Sequence, residues 1–170
     1  MTRPIFSPHT HSLLKAHQYQ GKSNDCGPFS AAIVISALSG YQVDGKQLAQ
    51  EMDQVFWEGF HFALRRVPHW ITFPWGIVDV LHLHHCEASW HSFVDERSLL
   101  EDLKNGKLIL SIYGNWFPLW AHYAVLTAYH EKSGYGFVNP AFPQAEIEWI
   151  SRKTFLARWK AFGKTIILAQ

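Results

Sequence analysis

Cysteine is nearly absent: Cys26 and Cys86 are the two in 170 residues, which rules out a secreted-type disulfide framework and a four-thiolate metal site. Charge is scarce too, at 17% of residues, below the roughly one quarter usual in soluble proteins. Fifteen basic and fourteen acidic side chains give a net charge of +1 with no run of one sign. That balance excludes charged disordered tails and a dedicated nucleic-acid surface. Residues 1–15 hold no apolar stretch and no small-residue cleavage site, so no signal peptide is read there and a cytoplasmic location is expected. No hydrophobic run is long and unbroken. The stretch from Leu108 to His130 lacks formal charge over a membrane-spanning length, but Gly114, Asn115 and Pro118 interrupt it. It reads as two buried strands joined by an aromatic loop, with no membrane partner.

What remains is apolar: 48% of the chain, enough for a domain of this length to bury its own core. Phe29 to Leu38 predicts a helix that is apolar nearly all round and therefore central, with Asp25 as N-cap, Pro28 in its first turn and Ser39-Gly40 as its stop. Further helices are expected over Asp44–Met52, Gln54–Arg66 and Ile77–His85, with a proline-marked loop over Val67–Gly76. Glu87–Phe93 reads as extended, and Asp95–Asn105 as a helix with Ser98 and Glu101 at capping-box spacing. Strands follow over Lys107–Tyr113, Ala121–Tyr129, Tyr135–Asn139 and Glu146–Ile150, then a helix over Arg152–Phe162 and a closing strand over Thr165–Leu168. Helices in the first half and strands in the second give an α+β fold. Residues 1–170 are expected as a single domain, with about 1–17 a loosely ordered N-terminal extension.

Gln20-Gly21-Lys22-Ser23-Asn24-Asp25-Cys26-Gly27-Pro28 places a cysteine at the start of the buried helix. Unpaired N–H groups and the helix dipole favour a thiolate there, so Cys26 is a candidate nucleophile; its plainer reading is a small buried apolar residue. A nucleophilic cysteine needs an imidazole. Of eleven histidines, His122 opens the strand His122-Tyr123-Ala124-Val125-Leu126-Thr127-Ala128-Tyr129, at a strand mouth where a side chain is both held and accessible. Asn139 lies at the same end of the following hairpin strand, where its amide can orient the imidazole. Taken singly, the two also read as a strand histidine and the first residue of a turn.

Together, Gln20 six residues before Cys26, the run Asn24-Asp25-Cys26-Gly27-Pro28, His122 to Tyr129, Phe137-Val138-Asn139-Pro140, and Phe155 and Trp159 resemble the papain-like cysteine peptidases. The branch that this chain resembles is the bacteriocin-processing, double-glycine type, family thirty-nine of the cysteine peptidases, with its stand-alone relatives. The resemblance runs from about Gln18 to Trp159. It implies a papain-like α+β fold with the nucleophile helix packed on a C-terminal antiparallel sheet, and hydrolysis of a peptide or related amide without a cofactor. It also implies roles: Cys26 the nucleophile, His122 the general base and acid, Asn139 the orienting residue where relatives have Asp or Asn, and Gln20 an oxyanion donor with the Cys26 backbone N–H. This sequence has Ala128 where relatives commonly have Gly. Acyl transfer to an amine on the same centre, and a non-catalytic relative that only binds peptide, are the alternatives.

Two other features are set beside these. His82-Leu83-His84-His85-Cys86 invites a zinc reading, but three ligands at most share one face of a helix or strand, so no metal is expected. Eight tryptophans are mostly core, yet Trp116 and Trp120 immediately precede His122 and are candidates for a cleft wall that binds an apolar group of the substrate.

Overall fold

In the computed structural model, which describes residues 4–58 and 61–170, the first half is largely helical. Strand β1 (Ile5–Phe6) and helix α1 (Thr10–Lys15) lead into α2 (Cys26–Ser39) and α3 (Gly45–Met52). Two small antiparallel pairs follow, β2 (Phe56–Glu58) with β3 (His61–Ala63) and β4 (Arg66–Val67) with β5 (Ile71–Thr72), before α4 (Pro74–Leu83). The second half supplies β6 (Ala88–His91), α5 (Glu96–Lys104), β7 (Leu108–Asn115), β8 (Trp120–His130), β9 (Gly134–Val138), β10 (Ile147–Ile150), α6 (Arg152–Ala161) and β11 (Ile166–Ala169). Among the described residues no helix is long and apolar enough to cross a membrane.

One antiparallel sheet organises the molecule, in the order β10-β9-β8-β7-β11-β6, with β1 added to β8 beyond the last β7 partner. Both of its faces are covered, which is why β7 and β8 read as continuous apolar runs rather than alternating ones. Leu108, Leu110, Ile112, Tyr123 and Val125 pack with α2 and α4 on one face. Ile109, Tyr113, Ala124 and Leu126 pack with Phe155 and Trp159 of α6 and Leu99 and Leu103 of α5 on the other. Helix α2 is apolar all round because α1, α3, α4 and β8 surround it. Gly40, in the left-handed conformation at φ 78°, ends it with a hydrogen bond from its N–H to Ser36 O.

Several expectations change. The helix read over Gln54–Arg66 is instead β2, β3 and the start of β4. Phe56-Trp57-Glu58 and His61-Phe62-Ala63 are strand-favouring runs around Gly59, and their pairing outweighs the helical reading. The loop read over Val67–Gly76 contains β5 and the first turn of α4, which starts at Pro74 because proline fits the first helical position. The cap of α5 is Asp95, whose carboxylate accepts from Ser98 N at 2.9 Å, not Ser98 with Glu101. Within the N-terminal stretch, β1 pairs with β8, Thr10 Oγ1 donates to Ser7 O at 2.7 Å, and Leu13 is fully buried.

Candidate active site

Cys26 is the first residue of α2, with Asp25 at its N-cap. The Asp25 carboxylate caps nothing and instead accepts a 2.6 Å hydrogen bond from Nη2 of the buried Arg66, whose Nε lies 2.9 Å from Asp53. Gly27 lets this helix start seat against β5, since a Cβ there would stand 2.6 Å from Thr72 Cβ. Ser30 Oγ then donates to Tyr123 O at 3.1 Å, tying the cysteine helix to the strand that carries His122.

The sulfur environment differs from the sequence expectation. Burial pushes the Cys26 thiol up from its ordinary value, the backbone amides of Tyr123 and Gly27 offset this only in part, and the Asp25 carboxylate adds to the rise. Burial thus works against the thiolate that the helix N-terminus favours.

His122, at the mouth of β8, is buried and held on three sides. Its Nε2 lies 2.6 Å from Asn139 Oδ1, Trp120 stacks on the ring at 6.1 Å and 8°, and Tyr113 meets it edge-on at 5.7 Å. Because an amide oxygen only accepts, Nε2 carries the proton, and Nδ1 is the nitrogen left for other work. Burial pushes the imidazole below its ordinary 6.5, against the opposing Asn139 hydrogen bond and Glu148 charge. A folded value below the unfolded one means stability present above pH 6.5 and lost as pH falls through the folded value. Urea midpoints of the wild type and His122→Gln, measured across that window, are therefore expected to converge as pH drops; a constant gap would show that His122 does not titrate with unfolding.

Asn139 follows β9 and is itself buried. Its Oδ1 also accepts from Ala141 N at 2.9 Å, and its Nδ2 donates to Glu148 Oε2 of β10. Its backbone oxygen accepts from His17 Nε2 at 3.1 Å, and the next carbonyl, Pro140 O, accepts from Gln20 N at 2.8 Å. Gln20 is thereby fixed beside Asn139; its Nε2 donates to Ser23 O at 2.7 Å, while Oε1 is buried without a protein partner.

Gln20, Cys26, Trp120, His122 and Asn139 line one cleft of about 310 Å³, together with Glu148. Of these, Glu148 carried no signal in the sequence, because nothing local says which residue of β10 will face Asn139. Trp116, expected beside Trp120, is not among the lining residues. Its ring stacks on Phe162 at 5.6 Å and its Nε1 donates to Ala161 O at 2.6 Å, so it fastens the β7–β8 turn to the end of α6. The histidine-rich segment at the end of α4 makes other contacts: His82 Nε2 meets Ala88 O at 2.9 Å, His84 lies 3.4 Å from Glu51, and Cys86 is buried. Among the described residues no three His, Cys, Asp or Glu side chains converge as metal ligands would.

Comparison with known proteins gives this arrangement a context. The model of the Peptidase C39 like family matches residues 12–167. A Bacillus anthracis protein described as a candidate C39-like peptidase superposes with a TM-score of 0.74 at 15% identity, over 99% of this chain and 98% of the other. The peptidase domain of Streptococcus ComA, a bifunctional ABC transporter of a quorum-sensing pathway, gives 0.59 at 16% identity over 89% and 95%. A double-glycine-motif protease of an AMS/PCAT transporter, solved with its leader peptide, gives 0.56 at 13% over 90% and 89%. No curated protein matches. The structural likenesses establish a papain-like C39 peptidase fold, and with a family model matched along nearly its whole length the chain belongs to the Peptidase C39 like family.

Proposed function

We propose that the chain is a cysteine peptidase or amidase that opens a peptide or related amide bond through a thioester on Cys26. The observation that carries this is the cleft in which Cys26 and His122 lie together, with Nε2 of the imidazole engaged by Asn139 and Nδ1 left for the thiol proton. As the sulfur attacks the acyl carbon, its proton passes to His122 Nδ1. The developing oxyanion is met by the Cys26 backbone N–H and the Gln20 side-chain amide. His122 returns the proton to the leaving amine, and water then opens the thioester with the same imidazole as base. Trp120 stacks on His122 and carries the Arg158 guanidinium over its ring at 5.4 Å; it is still 41% exposed, and that exposed part can meet an apolar side chain of the substrate.

With burial pushing the thiol up, Cys26 depends on the imidazole for its reactivity. Limited iodoacetamide at neutral pH, followed by peptide mapping, is expected to label Cys26 well ahead of the buried Cys86, and His122→Ala is expected to abolish that preference. Equal labelling of both cysteines in the wild type would return Cys26 to a packing role and leave a non-catalytic peptide binder as the reading.

A further inference from the structure

The orienting residue is a neutral amide, and an amide by itself gives an imidazolium no counter-charge. The structure places a carboxylate immediately behind it. Glu148, paired with Phe137 in the β10–β9 ladder, accepts the Asn139 Nδ2 hydrogen bond, while Asn139 Oδ1 faces both His122 Nε2–H and Ala141 N–H. Turned over, the same amide would aim its N–H groups at those two donors and its oxygen at the carboxylate. Every contact would then be repulsive. Glu148 and Ala141 thus leave Asn139 a single orientation, and that orientation keeps the His122 proton on Nε2 and Nδ1 toward the cleft.

We infer that Glu148 is a positioning residue of this site: acting through Asn139, it locks the His122 tautomer and supplies the negative charge that the amide lacks. The inference rests on the peptidase reading above for its bearing on turnover. Asn139 and Glu148 together do what one Asp would do in Asn139's place, with the charge one hydrogen bond further from the ring. The other charged or titratable groups on the cleft do not compete for this part. Cys26 faces from α2 and Tyr113 from β7; Arg158 of α6 lies over the Trp120 ring at 5.4 Å, and no ion pair joins it to Glu148 among the described residues.

A charge exchange tests this. In Glu148→Gln the side chain keeps its shape and an acceptor oxygen for Asn139 Nδ2 but loses the charge. Asn139→Asp sets two carboxylates in contact, which one of them can escape only by taking up a proton. Combining the two, Asn139→Asp with Glu148→Gln, returns a single carboxylate, now against the imidazole and steadied by the glutamine amide. Cys26 alkylation rates and the His122 titration by NMR are measured from about pH 5 to pH 9 on all four proteins, with thermal unfolding as the folding control. Each single variant is expected to slow alkylation by about tenfold, and the double variant to recover to within about threefold of wild type. Glu148→Gln is expected to move the His122 titration to lower pH, and the double variant to move it back up.

A double variant no better than Asn139→Asp, or an unmoved His122 titration in Glu148→Gln, would overturn the inference. The NMR arm needs no reactive thiol. If wild-type Cys26 proves unreactive, the peptidase reading fails while the coupling of Glu148 to His122 is still decided.

Discussion

Cys26→Ala is expected to lower hydrolysis of any peptide that the wild-type chain cleaves by about a million-fold, to the level left by binding and oxyanion contacts alone. Cys26 supplies the one thiol of the cleft, and no serine or threonine lines it: the remaining lining residues are amides, aromatics including the Tyr113 phenol, aliphatics, an imidazole, a carboxylate and a guanidinium. The side chain sits at the margin of the α2-side core, so the variant should fold. A peptide-library digest read by mass spectrometry supplies the substrate, and single-turnover kinetics on both proteins supply the ratio. Residual activity within tenfold of wild type would put the chemistry elsewhere.

Gln20→Ala should separate activity from stability. Loss of one preorganised donor to a developing oxyanion costs about 100- to 1,000-fold in kcat. Its main-chain anchor to Pro140 O survives the substitution, so the loop that leads to Cys26 keeps its place. The buried Oε1 has no protein donor, and an unsatisfied buried acceptor costs about 1–3 kcal/mol. Removing it offsets the lost Nε2 bond to Ser23, and the melting temperature should hold or rise while kcat collapses and KM moves little. Unchanged turnover would make Gln20 a loop residue; a fall in both turnover and melting temperature would make its role structural.

How far the sequence can be read depends on whether a feature is local. A cysteine at the head of an apolar run, a histidine opening a strand and an asparagine closing the next are local patterns, and the structure gathers those three side chains into one cleft. Sheet elements over Leu108–Ala169 were legible for the same reason, since period and turn residues lie within a few positions of each other. Residues 54–66 were not, because aromatic runs fit a helix and a strand about equally and only the pairing of β2 with β3 decides. Trp116 and Trp120 are chemically alike and four residues apart, yet one docks on Phe162 and the other on His122. That outcome is set by α6, which packs against β7 and follows much later in the chain. Glu148 depends on the register of an edge strand after an irregular loop. Desolvation of Cys26 is likewise a tertiary quantity, and it reversed the expected direction of the thiol shift.

The strand order has a consequence for biosynthesis. β6 and β7 are near neighbours in sequence but are held apart in the sheet by β11, which is made more than fifty residues after β7 begins. Until β11 arrives, one edge of β7 and one of β6 lie open, each a template for pairing with another nascent chain. β1 must likewise wait for the far end of β8. Closure between such distant segments is slow, because loop entropy is lost before the contacts that repay it form. The cleft stands beside that edge: Tyr113, which meets the His122 ring, belongs to β7, the strand that β11 flanks.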